Sequence, residues 1–368
     1  MKILHIEAGR HLYGGAKQVE YLLTALAGLN VENILVCPKN SAISNFSAPS
    51  LTVEPIAMAG ELDVFMMPRL LRLFKRYNPD IIHIHSRRGA DIWGALAAKW
   101  AGIPCICSRR VDNPEASLAV RLKYPLFAAV ICISDGIRRV VCQSGVEPKK
   151  VVTVHSSVKG SLFEELRDRD WFAQEFCIPQ DSLVVANFAQ MIDRKGQMLI
   201  LEAVSRLAPE FPTLRLLLFG QGPRQSHYQG VVKANGMEAI VTFPGFRQDV
   251  PKILPNIDVV IHPAYTEGLG VALLQSAASG VPIVATTAGG IPEVVRHNVN
   301  GKLVPVGDID ALTYSLRLLL LDQNLRQDLG RAGRKLVEEE FSVEAMAKGN
   351  LAVYEHVYST SCVGSVAH

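Results

Sequence analysis

The feature that most constrains this chain is a pattern that runs twice through its 368 residues. Short apolar runs alternate with amphipathic stretches. In the first half, strands are predicted over 3–6, 34–37, 81–85, 105–108, 130–133 and 151–154. Helical patterns lie between them, over 17–29, 64–76, 90–101 and 136–143. Ser134 is placed to cap the helix at 136, and Gly145 to stop it. Strands that are apolar at successive positions need cover on both faces, which predicts a parallel sheet between helical layers. From about 156 to 182 the pattern lapses into charge-rich sequence and then restarts. Further strands are predicted over 183–189, 214–219, 240–243, 259–262 and 283–285. Two successive series predict an α/β protein of two doubly wound, Rossmann-like domains. We expect one domain over 1–160, a second over 161–342, and a closing helix near 343–358 within a segment 343–368. Sheets of this kind bind ligands beyond the carboxyl ends of their strands, and the crevice between two of them is the expected site.

Composition excludes several classes. At 49% hydrophobic and 20% charged, the chain is neither a disordered polymer nor a collagen. No apolar run approaches the about eighteen residues of a membrane span. Met1 leads directly into the strand-like KILHIE with no leader pattern. The seven cysteines, from Cys37 to Cys362, form no CxxC pair. A reduced, cytoplasmic protein is therefore expected. Charge is uneven: residues 1–160 carry 20 Lys and Arg against 12 Asp and Glu, and residues 161–368 carry 18 against 23. The first half is either turned toward something anionic or has a surface whose charge fluctuates without consequence.

Five loops could carry chemistry. In EAGRHLYGGAKQVE, Gly14 and Gly15 precede a helix start, where backbone amides favour an anion; the spacing is not GxGxxG, and a plain turn would look the same. In HIHSRRGADIWG, His83 and His85 share a strand face. His83 reads as structural, and His85, at the carboxyl end, as the better functional candidate. No third ligand at zinc spacing accompanies them. Arg87 and Arg88, with Arg109 and Arg110 after the next strand, would crowd one rim with positive charge, as acceptor-side candidates. In NFAQMIDRKGQ, Arg194 and Lys195 could neutralise a pyrophosphate, although an exposed basic turn has the same pattern. In LLLFGQGPR, Gly220 lets backbone pass close to a ligand or to another element. The fifth, HPAYTEGLGVALLQSAASGVPIVATTAGGIPEVV, is the most informative. A strand ends at His262, and Glu267, Gly268, Leu269 and Gly270 lead into a helix whose free amides form an anion site. A carboxylate beside phosphate is costly unless it grips hydroxyls, such as those of a sugar. A second glycine turn, Gly289-Gly290, follows; Glu293 reads as a helix-start carboxylate on the dipole.

This fifth stretch, with GQGP, FPGF and the N-terminal Gly-Gly loop, resembles the retaining nucleotide-sugar glycosyltransferases of family 4, of bacterial envelope-polysaccharide type. The resemblance runs over nearly the whole chain. It implies the GT-B fold, with an acceptor-binding first domain, a nucleotide-sugar-binding second domain and a C-terminal helix that crosses back to the first. By position it implies that Gly15 lies against the donor, that His85 contacts the donor sugar, and that Lys195 meets the pyrophosphate. It implies that Glu267, the first acid of the family's E-x7-E, grips the transferred sugar, and that Gly268, Leu269 and Gly270 offer amides to the distal phosphate. Three positions depart from the pattern. Gln275 stands for the second acid on the ribose, Gln190 for the pyrophosphate arginine, and Ser156-Ser157 for an asparagine-glycine. Arg194 is placed to restore the charge missing at Gln190.

The chemistry implied is transfer of a sugar from a UDP- or GDP-sugar to a saccharide or lipid-linked acceptor, with retention by front-face attack. Lys195, Arg194 and the helix start would neutralise the leaving group in place of a metal, so no cofactor is expected. Two alternatives remain: a nucleotide-sugar-binding protein weakened in catalysis, and a nucleotide-sugar epimerase. The acceptor is approached through VFMMPRLLRLFKRYNP, where Arg69, Arg72, Lys75 and Arg76 stand beside Phe65, Met66, Leu70, Leu73 and Phe74. Such a helix either lies on an anionic membrane, at the inner face of the cytoplasmic membrane, or buries its apolar face on the sheet. Nucleic acid is not an expected partner.

Overall fold

The structure, a computed structural model, describes residues 1–11 and 14–364, with side chains through Ser361. The chain forms two compact units. One holds Met1–Ser157 together with the last helix, Val343–Gly364; the other is Val158–Ser342. The first unit extends to Ser157 because the Gln18 amide grips that residue at both backbone groups: Gln18 Nε2 donates to its carbonyl and Gln18 Oε1 accepts from its N–H, each at 2.8 Å.

The first unit is built on seven parallel strands: β1 (Lys2–Ile6), β2 (Glu32–Pro38), β3 (Leu51–Ile56), β4 (Ile81–Ile84), β5 (Cys105–Arg109), β6 (Ala129–Cys132) and β7 (Val151–Thr153). Their order is β3-β2-β1-β4-β5-β6-β7. β3 was not expected from the sequence. It is an edge strand, half-exposed and carrying Pro55, so no apolar run marks it. The second unit has six parallel strands: β8 (Leu183–Phe188), β9 (Leu214–Phe219), β10 (Val241–Gly245), β11 (Val259–His262), β12 (Ile283–Thr286) and β13 (Gly301–Val304), in the order β10-β9-β8-β11-β12-β13. β13, another unexpected edge, is a four-residue GKLV with few apolar positions.

In each sheet the strand order reverses once, between β1 and β4 and between β8 and β11. At such a point the neighbouring crossovers leave in opposite directions and a crevice opens at the strand ends. The second unit's core sets Val185, Leu216, Leu218 and Ile261 against Ile200 and Val204 of the helix Gln197–Leu207 and Leu312 and Leu316 of the helix Ile309–Leu321. Burial of each such side chain is worth about 1.5–3 kcal/mol. In the first unit, Ile3, Ile81 and Ile106 pack against Leu22 and Leu26 of the helix Gly14–Leu26 and against Tyr354 and Val357 of Val343–Gly364. The closing helix is thus part of the first unit's core.

The helix Met66–Tyr77 resolves the two readings of its amphipathic pattern. Met66, Leu70, Leu73 and Phe74 are buried, and the helix packs against Ala90–Gly94 and the helix Ala95–Ala101, so its apolar face cannot be the membrane-facing surface the first reading required. Of the five apolar residues named there, only Phe65 is exposed, beside Leu62 and Val64. Arg69 pairs with Asp63 at 2.8 Å and Arg76 with Glu54 at 3.0 Å. No helix among the described residues is long and apolar enough to cross a membrane.

Candidate active site

A buried charged cluster of the second unit lies at its strand-order reversal. β11 ends at His262, and the next segment returns Glu267 beneath it. Glu267 Oε2 accepts from Lys195 Nζ at 2.6 Å and meets His262 Nε2 at 2.8 Å. Lys195 comes from the turn after β8, so the two central strands supply the cluster. The three side chains are almost enclosed, at 10%, 3% and 14% exposure for Lys195, His262 and Glu267. Burial opposes ionisation of Glu267, but the His262 hydrogen bond and the Lys195 ammonium outweigh it and hold the carboxyl at about 2. Glu267 is therefore a fixed negative charge near neutral pH.

The backbone holds this carboxylate by close packing. A Cβ on Gly289 would lie 1.9 Å from the Glu267 carbonyl oxygen, and Gly289 has φ +54°. The Gly290 N–H donates to the same oxygen at 3.1 Å. Gly270, at φ +91°, then turns the chain into the helix Val271–Ala278. The Leu273 and Leu274 N–H groups donate to the Gly270 carbonyl at 2.9 and 3.2 Å; a helix start of this kind leaves its earliest amides for an anion.

In the first unit, a cavity of about 470 Å³ opens at the other reversal, lined by Glu7, Gly15, His85, Ser86, Arg88 and Arg110 among others. Along the inward face of the strands the side chains change character. Ile3, Ile81 and Ile106 give way, toward the carboxyl ends, to His5 and Glu7, His83 and His85, and Ser108 and Arg110. His85 is 2% exposed and burial drives its basicity well below normal, reinforced by His83, His5 and Arg110. Glu7 is shifted upward, since its burial outweighs the Gly9 N–H and Arg110.

This geometry corrects the reading of Gly14-Gly15 and that of the arginine rim. Gly14 and Gly15 are the first residues of their helix rather than a loop before it; Gly15 faces the Arg110 side chain. The four arginines line the cavity, yet they are not a rim of unshared charge. Arg87 and Arg109 both pair with Glu115, which also takes Lys123 at 2.7 Å. Burial disfavours the Glu115 charge, but Lys123, Arg109 and Arg87 hold its pKa at about 2. Arg88 and Arg110 face Glu7 electrostatically. The Gly268 N–H donates to Glu267 Oε1 at 3.2 Å, which orients the carboxylate. Gly220 packs against the Ala189 carbonyl, a contact between two strand ends. Gln190 is exposed, and its carbonyl accepts from Gln197 at 2.8 Å. Arg194 is exposed, with Nη1 3.5 Å from Thr266 Oγ1. Leu269 is buried, and Gln275 is half-buried one turn into the helix.

Sequence reasoning missed His262, Glu7, His5 and Glu115. His262 was legible as a strand end, the position where ligands gather. The other three show their role only when neighbouring strands are placed side by side.

Two family models match the chain: one described as "Glycosyltransferase Family 4" over residues 13–159, the other as "Glycosyl transferases group 1" over residues 168–336. Among relatives, the lipopolysaccharide core biosynthesis glycosyltransferase LpsE of Rhizobium meliloti is 27% identical over 95% of this chain and 98% of its own. The N-acetyl-alpha-D-glucosaminyl L-malate synthase of Bacillus anthracis is 24% identical over 80% of this chain and 78% of its own. Among solved structures, Anabaena HepE in complex with UDP and glucose superposes with a TM-score of 0.83 at 19% identity, over 97% of this chain and all of that one. With family models matched in both units and a two-sheet architecture shared with solved GT-B enzymes, the chain belongs to the GT-B glycosyltransferases of the family 4 and group 1 type.

Proposed function

We propose that this enzyme is a retaining transferase that moves a sugar from a nucleotide diphosphate sugar to a saccharide or lipid-linked acceptor in envelope glycan synthesis. The observation that carries the reading is the buried Lys195–Glu267–His262 cluster beside the start of the helix Val271–Ala278. Breaking a sugar–phosphate bond builds positive charge on the sugar and negative charge on the leaving diphosphate. Lys195, Arg194 and the amides after Leu269 supply positive potential to the leaving group, without a metal in this reading. Glu267, kept ionised, accepts hydrogen bonds from sugar hydroxyls. Gln190 and Gln275 would bind through amides where the family pattern has charge, at some cost in donor affinity. His85 offers a neutral ring to a sugar hydroxyl. With Glu267 already committed to Lys195 and His262, no carboxylate is assigned as nucleophile, and the leaving phosphate accepts the acceptor's proton.

The relatives support the substrate class. LpsE is named for lipopolysaccharide core synthesis, and HepE was crystallised with UDP and glucose. Thermal-shift screening of UDP, GDP and their sugars should raise the melting temperature through the matching donor. Lys195→Ala and Glu267→Ala should each abolish transfer, which should persist in EDTA. Wild-type rates in both variants would overturn the assignment, and donor binding without turnover across an acceptor panel would favour the weakened binder. We further propose contact with the inner membrane face through Phe65, Leu62 and Val64, flanked by exposed Arg72 and Lys75. Sedimentation with anionic vesicles should be lost when Phe65, Arg72 and Lys75 are replaced together.

A further inference from the structure

Beneath the cavity of the first unit lies a buried polar chain. Asn33 on β2, His5 on β1 and His85 after β4 are 0%, 0% and 2% exposed. Its direction follows from the amide at one end. Asn33 Nδ2 donates to the Val31 carbonyl at 3.0 Å, so Asn33 Oδ1 faces His5 Nε2, 3.1 Å away, and can only accept. His5 Nε2 therefore carries hydrogen. Burial pushes the His5 pKa down to about 4, against the Asn33 hydrogen bond, so the ring is neutral and its Nδ1 is an acceptor. His85 Nε2 lies 2.9 Å from that atom and must be the donor. The remaining atom, His85 Nδ1, is then a bare lone pair. It is buried, has no hydrogen-bond partner, and belongs to a residue that lines the cavity.

We propose that His5, oriented by Asn33, is a positioning residue that fixes His85 in its Nε2–H tautomer, so that His85 Nδ1 faces the cavity as a hydrogen-bond acceptor for a hydroxyl group. Neither His5 nor Asn33 lines the cavity. The ligand's identity rests on the glycosyltransferase reading; the tautomer does not. A metal bound by His5, His83 and His85, whose ligand atoms lie within 4.8 Å of one another, is the competing explanation. Both nitrogens of His83 are engaged, with Tyr354 Oη at 2.6 Å and Ser108 Oγ at 2.8 Å. The 2.9 Å between His5 and His85 is also shorter than the about 3.3 Å between two nitrogens on tetrahedral zinc.

The test uses the full chain with 15N-labelled histidine and long-range 1H–15N correlation spectra, His85 being assigned by His85→Gln. Wild type should show a pyridine-like Nδ1 and a pyrrole-like Nε2 for His85, in the absence of any ligand. His5→Gln, which keeps a donor for Asn33 and an acceptor for His85, should preserve that pattern. His5→Leu should convert His85 to a tautomer mixture, and Asn33→Leu should do so partly. A protonated Nδ1 in wild type, or an unaltered tautomer in a folded His5→Leu protein, overturns the proposal. So does a d–d absorption band on adding cobalt(II) that is lost in His5→Leu, which would identify a metal centre. In transfer assays, His5→Leu should lower kcat/KM by about tenfold, with rescue by His5→Gln. A wholly inactive wild type would count against the proposed function while leaving the tautomer result standing.

Discussion

Replacing Glu267 by Gln keeps the shape of the side chain and removes its charge. The cost can be worked from the structure. The carboxyl is held at about 2 against an ordinary 4.5, which corresponds to about 3 kcal/mol at about 1.4 kcal/mol per tenfold change in proton affinity. Breaking a buried ion pair from one side costs a similar amount, about 3–5 kcal/mol, because the partner ammonium is left uncompensated. The pH dependence has a definite sign. A depressed folded-state pKa adds stability in full above about 4.5 and loses it as pH falls toward 2; at pH 3 about half should be gone. Trp171 is the sole tryptophan of the second unit, so urea unfolding can be followed there in a Trp93→Phe/Trp100→Phe background. Glu267→Gln should lose about 3 kcal/mol at pH 7, and the gap from wild type should narrow toward pH 3. Adding Lys195→Met should cost less than the sum of the single changes, with a coupling of about 2 kcal/mol. A loss under about 1 kcal/mol at pH 7, additive changes, or a gap unchanged at pH 3 would refute the reasoning.

Gly289→Ala should destabilise the second unit by at least about 2 kcal/mol, since the new Cβ meets the Glu267 carbonyl at a positive φ. Gly230→Ala, in open space within the helix Gln225–Ala234, should instead stabilise it by about 0.5–1 kcal/mol in the same assay. Glu115→Gln should weaken the first unit by about 2–3 kcal/mol at pH 7, because Arg87, Arg109 and Lys123 lose their shared carboxylate. With Glu115 held at about 2, that difference too should fade as pH drops below about 4.5; Trp93 and Trp100 fluorescence in a Trp171→Phe background reads it.

Much of the fold could be read from local pattern. Nine of the eleven strands expected from apolar runs fall within a residue of both observed ends, since a strand buried on both faces announces itself in composition. The other two miss one end by two residues: the strand expected over 34–37 begins at Glu32, and that expected over 240–243 ends at Gly245. The edges β3 and β13 left no such mark. Their side chains are half-exposed, and what makes them strands is a neighbour's hydrogen-bonding edge.

By itself the sequence determined the two β/α series, the helix starts after strand ends, and the glycines that mark them, because these follow from spacing within a few residues. It also offered Lys195, Glu267 and His85 as candidates. Only the tertiary structure decided what those groups meet. Lys195 and Glu267 are 72 positions apart and share one buried charge pair; His5 and His85 are 80 apart and share one proton. Arg87 and Arg109 read as ligand-facing cations until Glu115 is seen between them. Polarity is encoded at each position, but the partner that satisfies it is chosen by strand order and register, which a one-dimensional pattern does not carry.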